Sequence, residues 1–225
     1  MRLNDVRYLL MAAVIGGPLQ AQAAGITDPV GDYLSGYTGS TAGDLDVLSA
    51  SLTYNPSTDI FHFESNYGAD VGTTPAGFYV LGINRGAGTA RFAANGLPNV
   101  LFDTVIRFGS TGTGLINLLN TDPATVTPLL PSAITIQGKR LSADIAGALL
   151  PSAGLAKSDY TWNLWPRDGA SGTGFPAISD FAPDTTNAAV QTVPAPAAVW
   201  LFGSVLGVIT VIGKRRVPAP AVLPV

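Results

Sequence analysis

The sequence predicts an all-β protein: a single two-sheet β-sandwich, jelly-roll or immunoglobulin-like, with a small barrel as the alternative. Three observations predict it. Short stretches of period-two hydrophobicity recur between Gly, Pro, Asn and Asp turn signals along residues 24–192. Thirteen of the fourteen acidic residues in 24–194 are Asp, with Glu64 the exception. Asp favours turns, caps and hard-cation sites, whereas Glu favours helices. The chain also carries 26 Gly and 17 Pro, both helix interrupters.

The elements follow in order. Leu48, Ala50, Leu52 and Tyr54 alternate with Ser49, Ser51 and Thr53, a strand with one wet face. Asn55-Pro56-Ser57-Thr58 then makes a turn. Asp59 to Asn66 returns as the second arm of a hairpin, with Phe61 and Phe63 on one face and His62 and Glu64 on the other. Phe78 to Ile83 is apolar on both faces and reads as a central strand. Phe102 to Phe108, Leu115 to Leu119, Ala133 to Ile136 and Tyr160 to Trp165 supply further strands. Ile145 to Leu150 invites a short helix, stopped by Pro151. No repeat or second domain is visible.

Both ends carry membrane-directed signals. Arg2 and Arg7 precede an apolar stretch from Tyr8 to Ile15, then Gly16-Gly17-Pro18 and an A-x-A site at Ala21-Gln22-Ala23, so residues 1–23 read as a signal peptide. Near the other end, Val193-Pro194-Ala195-Pro196 leads into 17 uncharged residues, Ala197 to Gly213, followed by Lys214-Arg215-Arg216. At about 1.5 Å rise per residue, that run just spans a hydrocarbon core of roughly 30 Å as a transmembrane helix. Prolines before it hold the approach extended. Basic residues stay on the cytoplasmic side, which leaves 217–225 as a short cytoplasmic tail and puts the body of the chain outside.

Residues 193–204, Val-Pro-Ala-Pro-Ala-Ala-Val-Trp-Leu-Phe-Gly-Ser, with the apolar run and basic cluster to 216, resemble the PEP-CTERM sorting signal of Gram-negative bacteria. Ala195 stands where the family name implies Glu, and nine residues follow the basic cluster. The resemblance implies export through the Sec machinery and an inner-membrane intermediate with the domain outside. An exosortase, a membrane-embedded transpeptidase, would then remove the tail and deliver the domain to the cell surface or beyond. An ordinary C-terminal anchor is the alternative.

Between the signals lie about 171 residues, enough for one domain with its own core. Residues 24–194 hold seven Lys or Arg against fourteen Asp or Glu, a net charge of −7, which argues against nucleic acid as a partner. No cysteine occurs, so an exported domain must rely on its core, on bound ions, or on both. The same lack excludes a cysteine hydrolase, and His62 is the sole histidine available as a base. His62 and Glu64 share a strand face and could hold a metal, but no third ligand is apparent, and a solvated face explains them as well. The Gly-rich pieces at 86–88 and 109–114 lack the Lys-Ser/Thr and following helix of a phosphate cradle.

Two constellations can carry binding. Asp28-Pro29-Val30-Gly31-Asp32 and Asp44-Leu45-Asp46 bring carboxylates onto Gly-bearing loops, so Asp28, Asp32, Asp44 and Asp46 form a candidate calcium site. Asx turns account for the same residues without a metal. Over residues 26–66 this opening resembles carbohydrate-binding module 9-like domains, which implies an extracellular, glycan-associated sandwich. Further along, Trp162 to Asp168 and Asp180-Phe181-Ala182-Pro183-Asp184 combine indoles, a guanidinium and acids. Trp165, Arg167 and Asp168 are candidate glycan-binding residues, since aromatic planes stack on sugar C–H faces and planar polar groups take hydroxyls. Trp162 and Trp165 fall on opposite strand faces, so at least one belongs to the core. The expected function is non-catalytic association with exopolysaccharide. A secreted polysaccharide hydrolase using Asp carboxylates and a purely structural surface protein are the alternatives.

Overall fold

The strand alternation seen in the sequence becomes two antiparallel sheets around a shared core. The computed structural model describes residues 25–121 and 124–193, all within one compact unit, Gln22–Pro194. The signal peptide at 1–23, the sorting residues from Pro194 to Arg216, and the tail at 217–225 lie outside the described residues. Among the described residues, no helix is long and apolar enough to cross a membrane.

Among the described residues twelve strands form: β1 (Ile26–Thr27), β2 (Val47–Asn55), β3 (Ile60–Tyr67), β4 (Gly77–Asn84), β5 (Thr104–Gly109) and β6 (Gly114–Leu118). The rest are β7 (Thr125–Leu129), β8 (Ile134–Gln137), β9 (Arg140–Ala146), β10 (Thr161–Asp168), β11 (Ala188–Ala189) and β12 (Gln191–Thr192). The first sheet runs β1-β2-β3-β9-β8, with β12 joining β2 in a short parallel pairing. The second runs β11-β10-β4-β5-β6-β7.

The inward faces are those the alternation selects. Leu52, Phe61, Phe63, Leu141 and Ile145 of the first sheet meet Leu81, Ile83, Ile106, Phe108 and Trp162 of the second. Phe63 and Phe108 stack across the gap with centroids 5.3 Å apart. Burial of such side chains contributes roughly 1.5–3 kcal/mol each, the main stabilising term in a chain without disulfides.

β4 is apolar on both faces for a structural reason. It lies between β10 and β5, and its outer face meets a second apolar cluster instead of water. Val80 joins Val100, Phe102, Trp165, Ile178 and Phe181 there, under the 85–103 connection and the 175–183 segment. The buried Arg85–Asp103 ion pair, 2.7 Å, closes that connection, and the Arg85 and Ala87 amides also donate to Asp103.

One expectation is overturned. Ile145 to Leu150 is no helix: Ile145 and Ala146 close β9, and Gly147–Leu149 is a single 3-10 turn. Leu141, Ala143 and Ile145 point inward while Ser142 and Asp144 point out, and β9 is held between β3 and β8. Tertiary pairing decides against local helix preference here.

Candidate metal centre

The segment ahead of β2 is laced both to β2 and to the segment that follows β10. Leu34 N–H donates 2.8 Å to the Ser179 carbonyl, and Asp28 N–H donates 3.0 Å to that of Leu48. Ala182 exchanges backbone hydrogen bonds of 2.8 and 2.9 Å with Leu164 on β10, which fixes the stretch carrying Asp180 and Asp184. Asp28, Asp32, Asp180 and Asp184 thereby converge, each with a carboxylate oxygen within 4.8 Å of the others.

The four grade from inside to outside. Asp180 is buried, Asp28 half-buried, and Asp32 and Asp184 exposed, so the cluster opens to solvent on one side. Asp180 accepts from the Val47 amide at 3.0 Å and from the Phe181 amide at 2.7 Å. Asp28 Oδ2 is shut off from solvent and receives no N–H or O–H donor. Desolvation, then the charges of Asp180, Asp32 and Asp184, push the Asp28 carboxyl up from the ordinary 3.8 to about 8. Desolvation, with Asp32 and Asp46 adding repulsion against the two amide donors, raises Asp180 to about 7. Without a cation the pair is satisfied by holding a proton; with one, by sharing its charge.

The donor set fits a hard cation. It is all carboxylate oxygen, and calcium takes six to eight oxygens, which bidentate binding and water on the open side can complete. Zinc would call for His or Cys, and the cluster has neither.

Asp44 and Asp46, expected in this site, are not among the four that converge, though Asp46 borders them. Asp44 is fully buried and accepts from the Thr74 amide at 2.8 Å and the Thr74 hydroxyl at 2.6 Å. Both oxygens of Asp46 accept from the Gly31 amide at 3.0 Å. The sequence shows the acids but not the donors that claim them. It also shows Asp180 and Asp184, but as a separate group; the lacing described above merges the two.

The expected glycan triad does not form a surface. Trp165 is 2% exposed and packs against Phe92, Phe102 and Phe181, so it offers no face for stacking. Asp168 is 5% exposed and accepts from the Ser40 and Ala170 amides, joining a loop to the end of β10. Arg167 donates to the carbonyls of Thr173 and Gly174. Trp162 is in the main core, so the opposite faces of β10 are both apolar.

His62 and Glu64 share the outer face of β3. His62 Nδ1 lies 2.6 Å from Asp144, and Glu64 accepts from Arg140 at 2.6 Å. The first is a surface hydrogen bond and the second a surface ion pair, and among the described residues these side chains do not converge into a metal-binding group. Val193, the one described residue of the sorting motif, donates 2.9 Å to the Tyr54 carbonyl. Comparison with protein-family models, with curated proteins and with solved structures finds no match for this chain.

Proposed function

We propose that this chain is an exported surface or extracellular-matrix protein of a Gram-negative bacterium: a non-catalytic, exopolysaccharide-associated β-sandwich with calcium at Asp28, Asp32, Asp180 and Asp184. The convergence of these four carboxylates around a solvent-excluded, donorless oxygen is the observation that carries the binding reading. The signal peptide and the tail resembling PEP-CTERM support export through Sec, a membrane-anchored stage, and exosortase processing. Calcium would cross-link the start of the folded body to its last loop and hold the end of the sandwich closed.

Calorimetric titration of calcium into the full-length chain tests the metal. Binding is expected in the wild type and absent in D28N/D180N; equal heats in both remove the site. Mass spectrometry of the C-terminus from cells with and without exosortase tests the address. A terminus retaining Leu206 in both makes the tail a plain anchor.

A second reading has its own support. A carboxyl that keeps its proton near neutrality is what the general acid of a glycosidase needs, and Asp28 has that property. Release of reducing ends from purified exopolysaccharide, abolished by D28N, would favour the hydrolase.

A further inference from the structure

Four of the seven Lys and Arg residues in 24–194 pair with no carboxylate among the described residues: Arg91 and Lys139 stand in loops, Arg107 and Arg167 on strands. Arg85, Arg140 and Lys157 pair with Asp103, Glu64 and Asp59. Among the described residues, Arg107 and Arg167 pair with no carboxylate, in a protein whose acids outnumber its bases two to one between 24 and 194. Yet these two cations are neighbours on the outer face of the second sheet.

The register brings them together. On β4, Phe78 pairs with Gly109 of β5 and Arg167 of β10, while Arg107 pairs one step along with Val80. At Gly109 the place a Cβ would take is filled by the Thr113 hydroxyl. The Arg107 guanidinium lies over the Phe78 ring, 3.9 Å from its centroid, and so leans toward Arg167. Burial first, and then the Arg107 charge, lower the pKa of Arg167. Arg167 Nε is solvent-excluded with no acceptor.

Beside the pair runs a cleft of about 280 Å³ lined by Arg107, Gly109, Thr113, Gly114 and Leu115. The two glycines make one wall backbone, the Thr113 hydroxyl abuts Gly109, and Arg107 is exposed at the mouth. We propose that this cleft binds the carboxylate of an acidic saccharide, a uronate-type sugar, with Arg107 as its fork. A planar carboxylate matches the guanidinium in two parallel hydrogen bonds. Thr113 can take a ring hydroxyl, and Leu115 offers an apolar surface to sugar C–H groups. Stacking on Phe78 holds Arg107 in place before the ligand arrives, which lowers the ordering cost. The inference rests on the polysaccharide-associated reading and narrows it to anionic chains.

The test titrates the full-length chain with an oligogalacturonate, a neutral oligoglucan of equal length and a sulfated oligosaccharide, all in EDTA at low salt. EDTA removes any calcium bridge through the aspartate cluster. Oligogalacturonate is expected to bind, and R107A and R107K to weaken it about tenfold or more, since a charge-assisted fork is lost in both. R91A, an equal change of charge elsewhere, is expected to leave it intact, and the thermal midpoint of R107A to match wild type. Unchanged affinity in R107A, or an equal loss in R91A, overturns the cleft. Equal binding of the sulfated sugar overturns the uronate assignment. Binding of the oligoglucan alone overturns the cleft while sparing the glycan reading; binding of no saccharide overturns both.

Discussion

Asp44 and Asp28 are the same residue type in the same stretch ahead of β2, and they are in opposite electrical situations. Asp44 is fully buried and comfortable, because Thr74 supplies an amide and a hydroxyl aimed at its two oxygens. Asp28 is less buried and worse served: one oxygen has no donor, and its neighbours are three more carboxylates. Donors, not depth, decide whether an acid holds the fold together or waits for a cation.

The comparison can be broken at several points. D44A has the largest expected effect. It strands the buried Thr74 amide and leaves the Thr74 hydroxyl to Ser40 alone, and should cost about 2–4 kcal/mol, or roughly 10 °C in thermal midpoint, with or without calcium. A loss that calcium repairs would put Asp44 back in the site. Next is calcium itself: at about 100 times its Kd it should add roughly 2.7 kcal/mol to wild type and nothing to D28N, measured by denaturant titration in calcium and in EDTA. D28N in EDTA should be no less stable than wild type, which separates it sharply from D44A.

The pH dependence is a subtler contrast. Asp28 and Asp180 bind protons in the folded chain at pH values where the unfolded chain has released them, because their pKa values rise from 3.8 to about 8 and about 7. In EDTA, stability should therefore fall as pH climbs from about 4 through 8, and D28N or calcium should flatten that slope. A profile rising over this range in EDTA would contradict the carboxyl pair. The smallest effects belong to the rim. D32N and D184N should weaken calcium by a modest factor and leave the metal-free fold unchanged, because both side chains are exposed.

The sequence makes some of this legible and hides the rest for definable reasons. β3 and β4 are readable because each face has a constant environment along the strand, and β2 is readable past the bulge at Val47–Ser49, where Ala50 and Leu52 turn inward. β9 is obscured by the apolar run that continues past it through Leu150, and β7 by Pro128, which an edge strand tolerates. Within the site, Asp28 and Asp32 are visible as acids near a turn. Their partners Asp180 and Asp184 come from the other end of the folded body, and it takes tertiary hydrogen bonds such as Leu34 to Ser179 and Val47 to Asp180 to make them neighbours. Trp165 fails as a platform because the second cluster needs a cover that no local pattern announces.

The last strand gives the molecule a mechanical character. β12 holds β2 through Gln191 and Thr192 alone, with the Val193 bond to Tyr54 beyond them. Tension drawn through a tether past Val193 would meet this short latch first, then β11, and then Asp184 at the carboxylate cluster. With calcium bound as proposed, the weak outer catch would be backed by an inner clasp that slackens as calcium is withdrawn.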